Sequence, residues 1–227
     1  VTNVVGPEQW LAARKELLAR EEELAAAHEA VRRARRELPM VRVDKDYVYE
    51  GADGKKSLLD LFEGRRQLIV YHFMFDPSWQ QGCKWCSYLV DNVGDVSHLH
   101  VRDTTLALVS RAPIDKILPF RARMGWTLPW YSSNGSDFNY DFHVTLDESV
   151  TPVEYNYRDK SALAEFFTSG EQGGASVFLR EGDEVFHTYS AYAEGLALLH
   201  TLDNYLDLPP LGGQFSDMGW LRHHDRY

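Results

Sequence analysis

Cysteine is scarce in this sequence: 227 residues contain only Cys83 and Cys86. Two cysteines cannot build a disulfide framework for a chain of this length, and a bridge across two intervening residues closes too short a loop to stabilise it much. Long apolar runs are missing as well. No stretch approaches the roughly 18 residues that a membrane span needs, and the start of the chain has neither the basic opening nor the apolar middle of a signal peptide. A membrane partner is therefore not expected, and the expected location is the cytosol. Positive charge is in deficit, with 24 Lys and Arg against 34 Asp and Glu and a formal net charge of −10. An acidic surface of that size repels phosphate backbones, so nucleic acid is not an expected partner either. Core-forming material is plentiful: 44% of residues are hydrophobic and 13% aromatic, enough for one domain with extensions.

Residues 7–38 read as one long helix. Pro7 suits its first turn, Pro39 ends it, and Arg32, Arg33, Arg35 and Arg36 lie near its C-terminus, where a helix dipole favours cations. Trp10, Leu17, Leu24, Val31 and Leu38 recur every seventh residue, with Ala13, Arg20, Ala27 and Ala34 at the intermediate seam positions. Such a narrow stripe suits either a dimer arm or packing across its own domain. From residue 47 the pattern becomes alternating. Tyr47-Val-Tyr49 reads as a strand, Ser57 as the cap of a short helical turn, and Leu68–Phe75 as a central strand covered on both faces. A helix then starts at Cys83. Thr104–Ser110 is the next strand, Pro113 begins another helix, and residues 127–131 form a short strand. Residues 132–174 form an irregular insertion, followed by a hairpin over 176–180 and 184–189 and a closing helix over 191–205. This gives an arm (1–40), a central domain (41–205) and a tail (206–227) expected to pack on the domain.

A cysteine at a helix N-terminus is acidified by the helix dipole and by free backbone N–H groups, and the thiolate is the nucleophile of disulfide exchange. Cys83 therefore attacks and Cys86, one turn further, resolves the mixed disulfide. Lys84 supplies the nearest fixed positive charge, and Trp85 could cover the pair or meet a partner. The partner would be a small-molecule thiol or disulfide, or a dedicated redox protein. Other uses of the pair stay open. A structural zinc site wants four ligands and finds no further cysteine. A copper site could add a histidine, namely His143, His187, His223 or His224, because thiolate and imidazole suit copper. Inert cysteines in a binding module are the third option.

His72 interrupts the apolar strand that leads to the motif and reads either as a buried, hydrogen-bonded core residue or as part of the site. Asp137, Asn139 and Asp141 alternate with Phe138, Tyr140 and Phe142, which fits a pocket wall or a hairpin with one packed face. His98 and His100 flank a loop before the next strand and read as surface residues. The terminal Trp220-Leu-Arg-His-His-Asp-Arg-Tyr227 could pin the chain end or bring His223 or His224 over the cysteines.

The order of strand, CxxC at a helix start, strand, helix, strand, hairpin and helix is the layout of a thioredoxin-like α/β fold, a central mixed sheet flanked by helices. The lead-in near Tyr47 resembles that of peroxiredoxins, although Gln80 stands where that family places Thr or Ser. Gly82-Cys-Lys-Trp-Cys-Ser87, Val109-Ser-Arg-Ala-Pro113, Arg123-Met-Gly-Trp126, Ser136-Asp-Phe-Asn-Tyr-Asp-Phe142, Val185-Phe-His-Thr-Tyr-Ser190 and His223-His-Asp-Arg-Tyr227 resemble, in order, the motifs of a bacterial thioredoxin-like family of unknown function. The resemblance implies a redox position for Cys83 and Cys86. Unlike thioredoxins, the chain has Lys84-Trp85 between its cysteines, and Gly173-Gly174 where a cis-proline would face them. If the seven-residue stripe is a dimer arm, the molar mass in solution is that of two chains and falls to one when residues 1–38 are removed; an unchanged mass counts against it.

Overall fold

Hydrophobic periodicity changes near residue 40, and the backbone changes with it. The computed structural model describes residues 3–212 and 219–227. Two units are resolved, one up to Pro39 and one from Met40 to Tyr227. The first is helix α1 (Pro7–Arg36), with Pro7 in its first turn and Arg33, Arg35 and Arg36 in its last. None of its residues is buried, and Trp10, Leu17, Leu24 and Val31 are exposed along the seven-residue stripe.

The second unit runs β1 (Val41–Arg42), β2 (Val48–Gly51), β3 (Gly54–Ser57), β4 (Gln67–His72), α2 (Lys84–Asp91), α3 (Ser97–His100), β5 (Thr104–Ser110), α4 (Ile114–Arg123) and β6 (Trp130–Ser132). It continues through α5 (Phe138–Asp141), β7 (Thr145–Leu146), β8 (Glu154–Tyr155), β9 (Arg158–Asp159), β10 (Gly170–Glu171), β11 (Gly174–Glu181), β12 (Glu184–Tyr192) and α6 (Thr201–Leu206). Eight strands form one sheet in the order β1-β12-β11-β4-β5-β6-β2-β3. β4 pairs parallel with β5 and β5 with β6, while β11 pairs antiparallel with both β4 and β12. A parallel β4–α2–β5 unit with an antiparallel β11–β12 hairpin on the far side of β4 is the thioredoxin-like fold. No helix among the described residues is long and apolar enough to cross a membrane.

Strand alternation divides the core into two layers. Tyr71, Phe73 and Phe75 pack with Cys86, Leu89, Val90, Phe120 and Trp130. Leu68 and Val70 lie on the other face with Val109, Phe138, Phe142 and Phe178. His72 follows the parity of Val70, and its ring lies 5.4 Å from that of Phe138 and 6.0 Å from that of Phe142. It therefore faces away from the cysteine layer.

Two local expectations change. The alternating segment from Asp137 is the helical turn α5, because Phe138 and Phe142, four residues apart, pack over the sheet with their rings tilted and 4.6 Å apart. The closing helix is interrupted. β12 extends to Tyr192 opposite Gly174, Ala193 turns into left-handed backbone at φ 45°, and 3-10 turns over Ala193–Leu199 precede α6. His98 and His100 sit on the short helix α3, and neither is buried. The turn after Ser57 forms as expected, with the Ser57 N–H and hydroxyl both donating to Asp60.

His72 heads a buried polar chain across three strands. Its Nε2 meets Ser176 Oγ, Ser176 Oγ meets Ser190 Oγ, and Ser190 Oγ meets His187 Nε2, each at 2.8 Å. Three hydrogen bonds need three hydrogens, and the two hydroxyls supply only two, so one imidazole supplies the third. His187 also makes a hydrogen bond to the Tyr189 backbone that favours its protonated form, which occupies its N–H at the other ring nitrogen. His72 is then the donor, and its Nδ1, which is buried without a partner, carries a bare lone pair. Burial lowers the His72 pKa from 6.5 to about 3. Below pH 6.5 the unfolded chain gains a proton that the folded chain refuses, so this contribution is complete above pH 6.5. It shrinks by about 1.4 kcal/mol per pH unit on the way down to about 3. Urea unfolding of His72→Gln is expected to depend less on pH between 6.5 and 4 than that of the parent; an unchanged slope counts against this account.

Candidate functional site at the start of helix α2

The backbone leaves the sheet after His72, and the next residues bind α2 to the strand. The Cys83 N–H donates to the Met74 carbonyl at 3.0 Å, and the Met74 N–H donates to Cys86 Sγ at 3.3 Å. Gly82 makes this turn possible: a Cβ there would lie 2.6 Å from the Phe73 ring and 2.8 Å from that of Phe120. Cys83 is the N-cap of α2, with extended backbone at φ −60° and ψ 132°. Both the N–H and the hydroxyl of Ser87 donate to the Cys83 carbonyl.

The two thiols have opposite surroundings. Cys83 receives hydrogen bonds from the Cys86 thiol and from the backbone N–H groups of Cys86 and Trp85, with Lys84 adding its charge. Against the cost of burial, these donors lower its pKa from 9.0 to about 7, the Cys86 bond contributing most. Cys86 is fully buried, and desolvation together with the neighbouring Cys83 raises its pKa well above 9.0. The Tyr71 hydroxyl hydrogen-bonds Cys86 from the same layer. Near neutral pH the thiolate of the pair therefore forms at Cys83, while Cys86 favours the thiol.

Cys83 opens onto a cleft of about 1150 Å³. Trp79, Lys84 and Trp85 line it beside the cysteine, Phe166, Glu171 and Gln172 line it from the chain before β11, and His223 and Arg226 from the tail. His223 Nε2 donates to the Gly82 carbonyl at 2.9 Å, so His223 both pins the chain end and borders the cysteine turn. Asp225 accepts two hydrogen bonds from Arg123, and His224 donates to Asp91 at 2.7 Å.

Several expected site residues lie elsewhere. His72 is on the opposite face of the sheet, for the parity reason above. Asp137 and Asp141 both pair with Lys45, at 2.8 and 2.7 Å, and Asn139 is buried and accepts from Ser133. They brace α5 and do not line the cysteine cleft. His187 is held by Ser190 and His224 by Asp91, while His143 follows α5 at φ 53°. Among the described residues no group of three His, Cys, Asp or Glu is placed to hold a metal ion. Among those residues, a copper site of the two sulfurs with His143, His187, His223 or His224 as third donor is not formed.

Sequence reasoning missed Glu171, Arg111 and Thr145. The Glu171 side chain is 2% exposed, meets Arg111 at 2.9 Å and accepts from the Thr145 hydroxyl at 3.0 and 3.1 Å. The available signal was position: the segment before Gly173-Gly174 precedes the strand that in this fold passes the cysteines. Gly174 itself must be glycine, since a Cβ would lie 2.9 Å from both Tyr192 and Val144. The described residues contain no cis peptide bond.

A dithiol at the N-cap of the helix after the first parallel strand makes this a thioredoxin-fold protein of the CxxC type. The chain belongs to the bacterial protein family of unknown function DUF899, whose model matches residues 1–227. No curated protein matches the sequence. Similar solved structures include a Xanthomonas campestris peroxiredoxin Q variant, at 14% identity and TM-score 0.43 over 70% of this chain and 90% of that one. A Xylella fastidiosa PrxQ variant matches at 12% identity and TM-score 0.45, over 74% and 95% of the two chains. Peroxidoxin BcpB from Mycobacterium tuberculosis matches at 11% and 0.41, over 73% and 97%.

Because thiolate is the reactive form, alkylation of Cys83 by iodoacetamide is expected to rise with pH through a midpoint of about 7. In Cys86→Ala the largest acidifying hydrogen bond is gone, and the midpoint is expected to move upward. A midpoint near 9.0 in the parent protein would contradict this site geometry.

Proposed function

We propose that this protein is a thiol–disulfide oxidoreductase in which Cys83 and Cys86 cycle between dithiol and disulfide. The observation that carries the reading is the asymmetry of the pair: an acidified Cys83 at the cleft and a buried, protonated Cys86 directly behind it. Cys83 thiolate attacks one sulfur of a disulfide and releases the other with the electron pair of the broken bond, as a thiolate that then takes up a proton. Cys86 then gives up its proton and attacks Cys83 Sγ, so that the second substrate sulfur leaves with two electrons and a proton. The partner is a small-molecule disulfide or a dedicated redox protein. A cytosolic setting, where thiols are kept reduced, suits such a cycle.

Equilibration against a graded dithiothreitol series tests the reading. An intramolecular disulfide is expected in the parent protein and in neither Cys83→Ser nor Cys86→Ser. Cys86→Ser, which lacks the resolving thiol, is expected to accumulate a mixed disulfide at Cys83 when treated with glutathione disulfide. A pair that never oxidises, or a mixed disulfide carried by Cys86 alone, would sink the proposal.

A further inference from the structure

Among the residues lining the Cys83 cleft is a carboxylic acid, Glu171, that the disulfide cycle above does not use. Glu171 lies on β10, which pairs with β7 so that Glu171 is in register with Thr145. Thr145 and Arg111 hold its oxygens, and the Arg111 guanidinium lies 5.1 Å from the centre of the Tyr140 ring. A buried ion pair contributes little net stability, because the cost of desolvation offsets the attraction. Its place on the wall of the Cys83 cleft therefore asks for another explanation.

Thiol–disulfide exchange gains from an acid near the departing sulfur when that sulfur is a poor leaving group. When Cys83 attacks, the electrons of the broken S–S bond move onto the departing sulfur, which leaves faster the more its charge is neutralised. A substrate sulfur lies only about 2 Å from its partner, so the departing sulfur remains within the cleft. The other groups lining it are poorly suited to donate. His223 already gives its Nε2 proton to the Gly82 carbonyl, arginines do not deprotonate in proteins, and Glu165 is solvent-exposed. Lys84 sits beside the nucleophile, where its charge favours the Cys83 thiolate.

We infer that Glu171 is the acid that protonates the departing sulfur, with Arg111 and Thr145 as positioning residues; the inference rests on the oxidoreductase reading above. The step balances. Cys83 Sγ bonds one substrate sulfur, the substrate S–S bond breaks, and the departing sulfur takes the electron pair and the Glu171 proton. The Cys86 proton goes to the second thiol, Glu171 recovers a proton from water, and an external dithiol reduces the new disulfide. Burial raises the Glu171 pKa from 4.5 to about 7, with Asp76 adding to the rise while Arg111 and Thr145 oppose it. A group of that acidity is partly protonated at neutral pH and can be recharged there.

Two disulfides of different leaving-group acidity test this in single-turnover reactions of the reduced protein. Bis(2-hydroxyethyl) disulfide releases a basic aliphatic thiolate that benefits from protonation, whereas 5,5′-dithiobis(2-nitrobenzoate) releases an acidic aromatic thiolate that does not. Glu171→Gln is expected to slow the aliphatic reaction on the order of 100-fold and the aromatic one less than about 3-fold. Glu171→Asp, which keeps an acid on a shorter stem, is expected to lie between parent and Gln variant on the aliphatic substrate; it serves alone if the Gln variant does not fold. Equal slowing of both disulfides would mark Glu171 as structural, and no slowing would remove it from the reaction; either overturns the inference. A parent protein that reduces neither disulfide would instead overturn the oxidoreductase reading, and this inference with it.

Discussion

The exchange between the end of β4 and the start of α2 is the constraint on which the rest of the site depends. Met74 accepts from the Cys83 N–H and donates to Cys86 Sγ, so one residue fixes the backbone of the first cysteine and the sulfur of the second. The close approach of Gly82 to Phe73 and Phe120 lets the chain reach that position. Without it, the N-terminal N–H groups of α2 would not converge on Cys83. Because those donors act at the first turn of the helix, a shift of the helix start by one residue would move their effect off the sulfur.

The two faces of the sheet play different parts. The face bearing Tyr71, Phe73 and Phe75 carries the dithiol and opens at its end into the cleft. The opposite face carries His72, Ser176 and Ser190 under the aromatic layer of Phe138, Phe142 and Phe178. Burial favours the neutral form each time: it raises the pKa of Cys86 and of Glu171 and lowers that of His72. Cys83 escapes because it is only partly buried and because four groups stabilise its negative charge.

Much of this is legible in the sequence where the deciding interactions are local. The helix start at the CxxC, the central strand before it, the hairpin over β11 and β12 and the cap at Ser57 all follow from spacing and short-range chemistry. The segment from Asp137 misleads, because alternation over seven residues also places Phe138 and Phe142 four apart, and packing on the sheet selects the helical reading. The closing helix misleads for a similar reason: pairing of Tyr192 with Gly174 extends the strand at the expense of the helix. The tail offers two alternatives in sequence, pinning or approach to the cysteines, and His223 does both through one hydrogen bond to Gly82.

The sequence by itself determined which sulfur stands at the helix start and which lies one turn behind it, since a helix start and a separation of three residues make Cys83 the partly exposed sulfur and Cys86 the buried one. Only the tertiary structure decided what surrounds them. Strand parity sends His72 to the far face, and the brace of Asp137 and Asp141 on Lys45 keeps α5 away from the cleft. The pairing of β10 with β7 brings Glu171 to Arg111 across 60 residues of chain. Those placements depend on register between distant strands, where a shift of one residue reverses the face of every side chain, and no local spacing encodes that register.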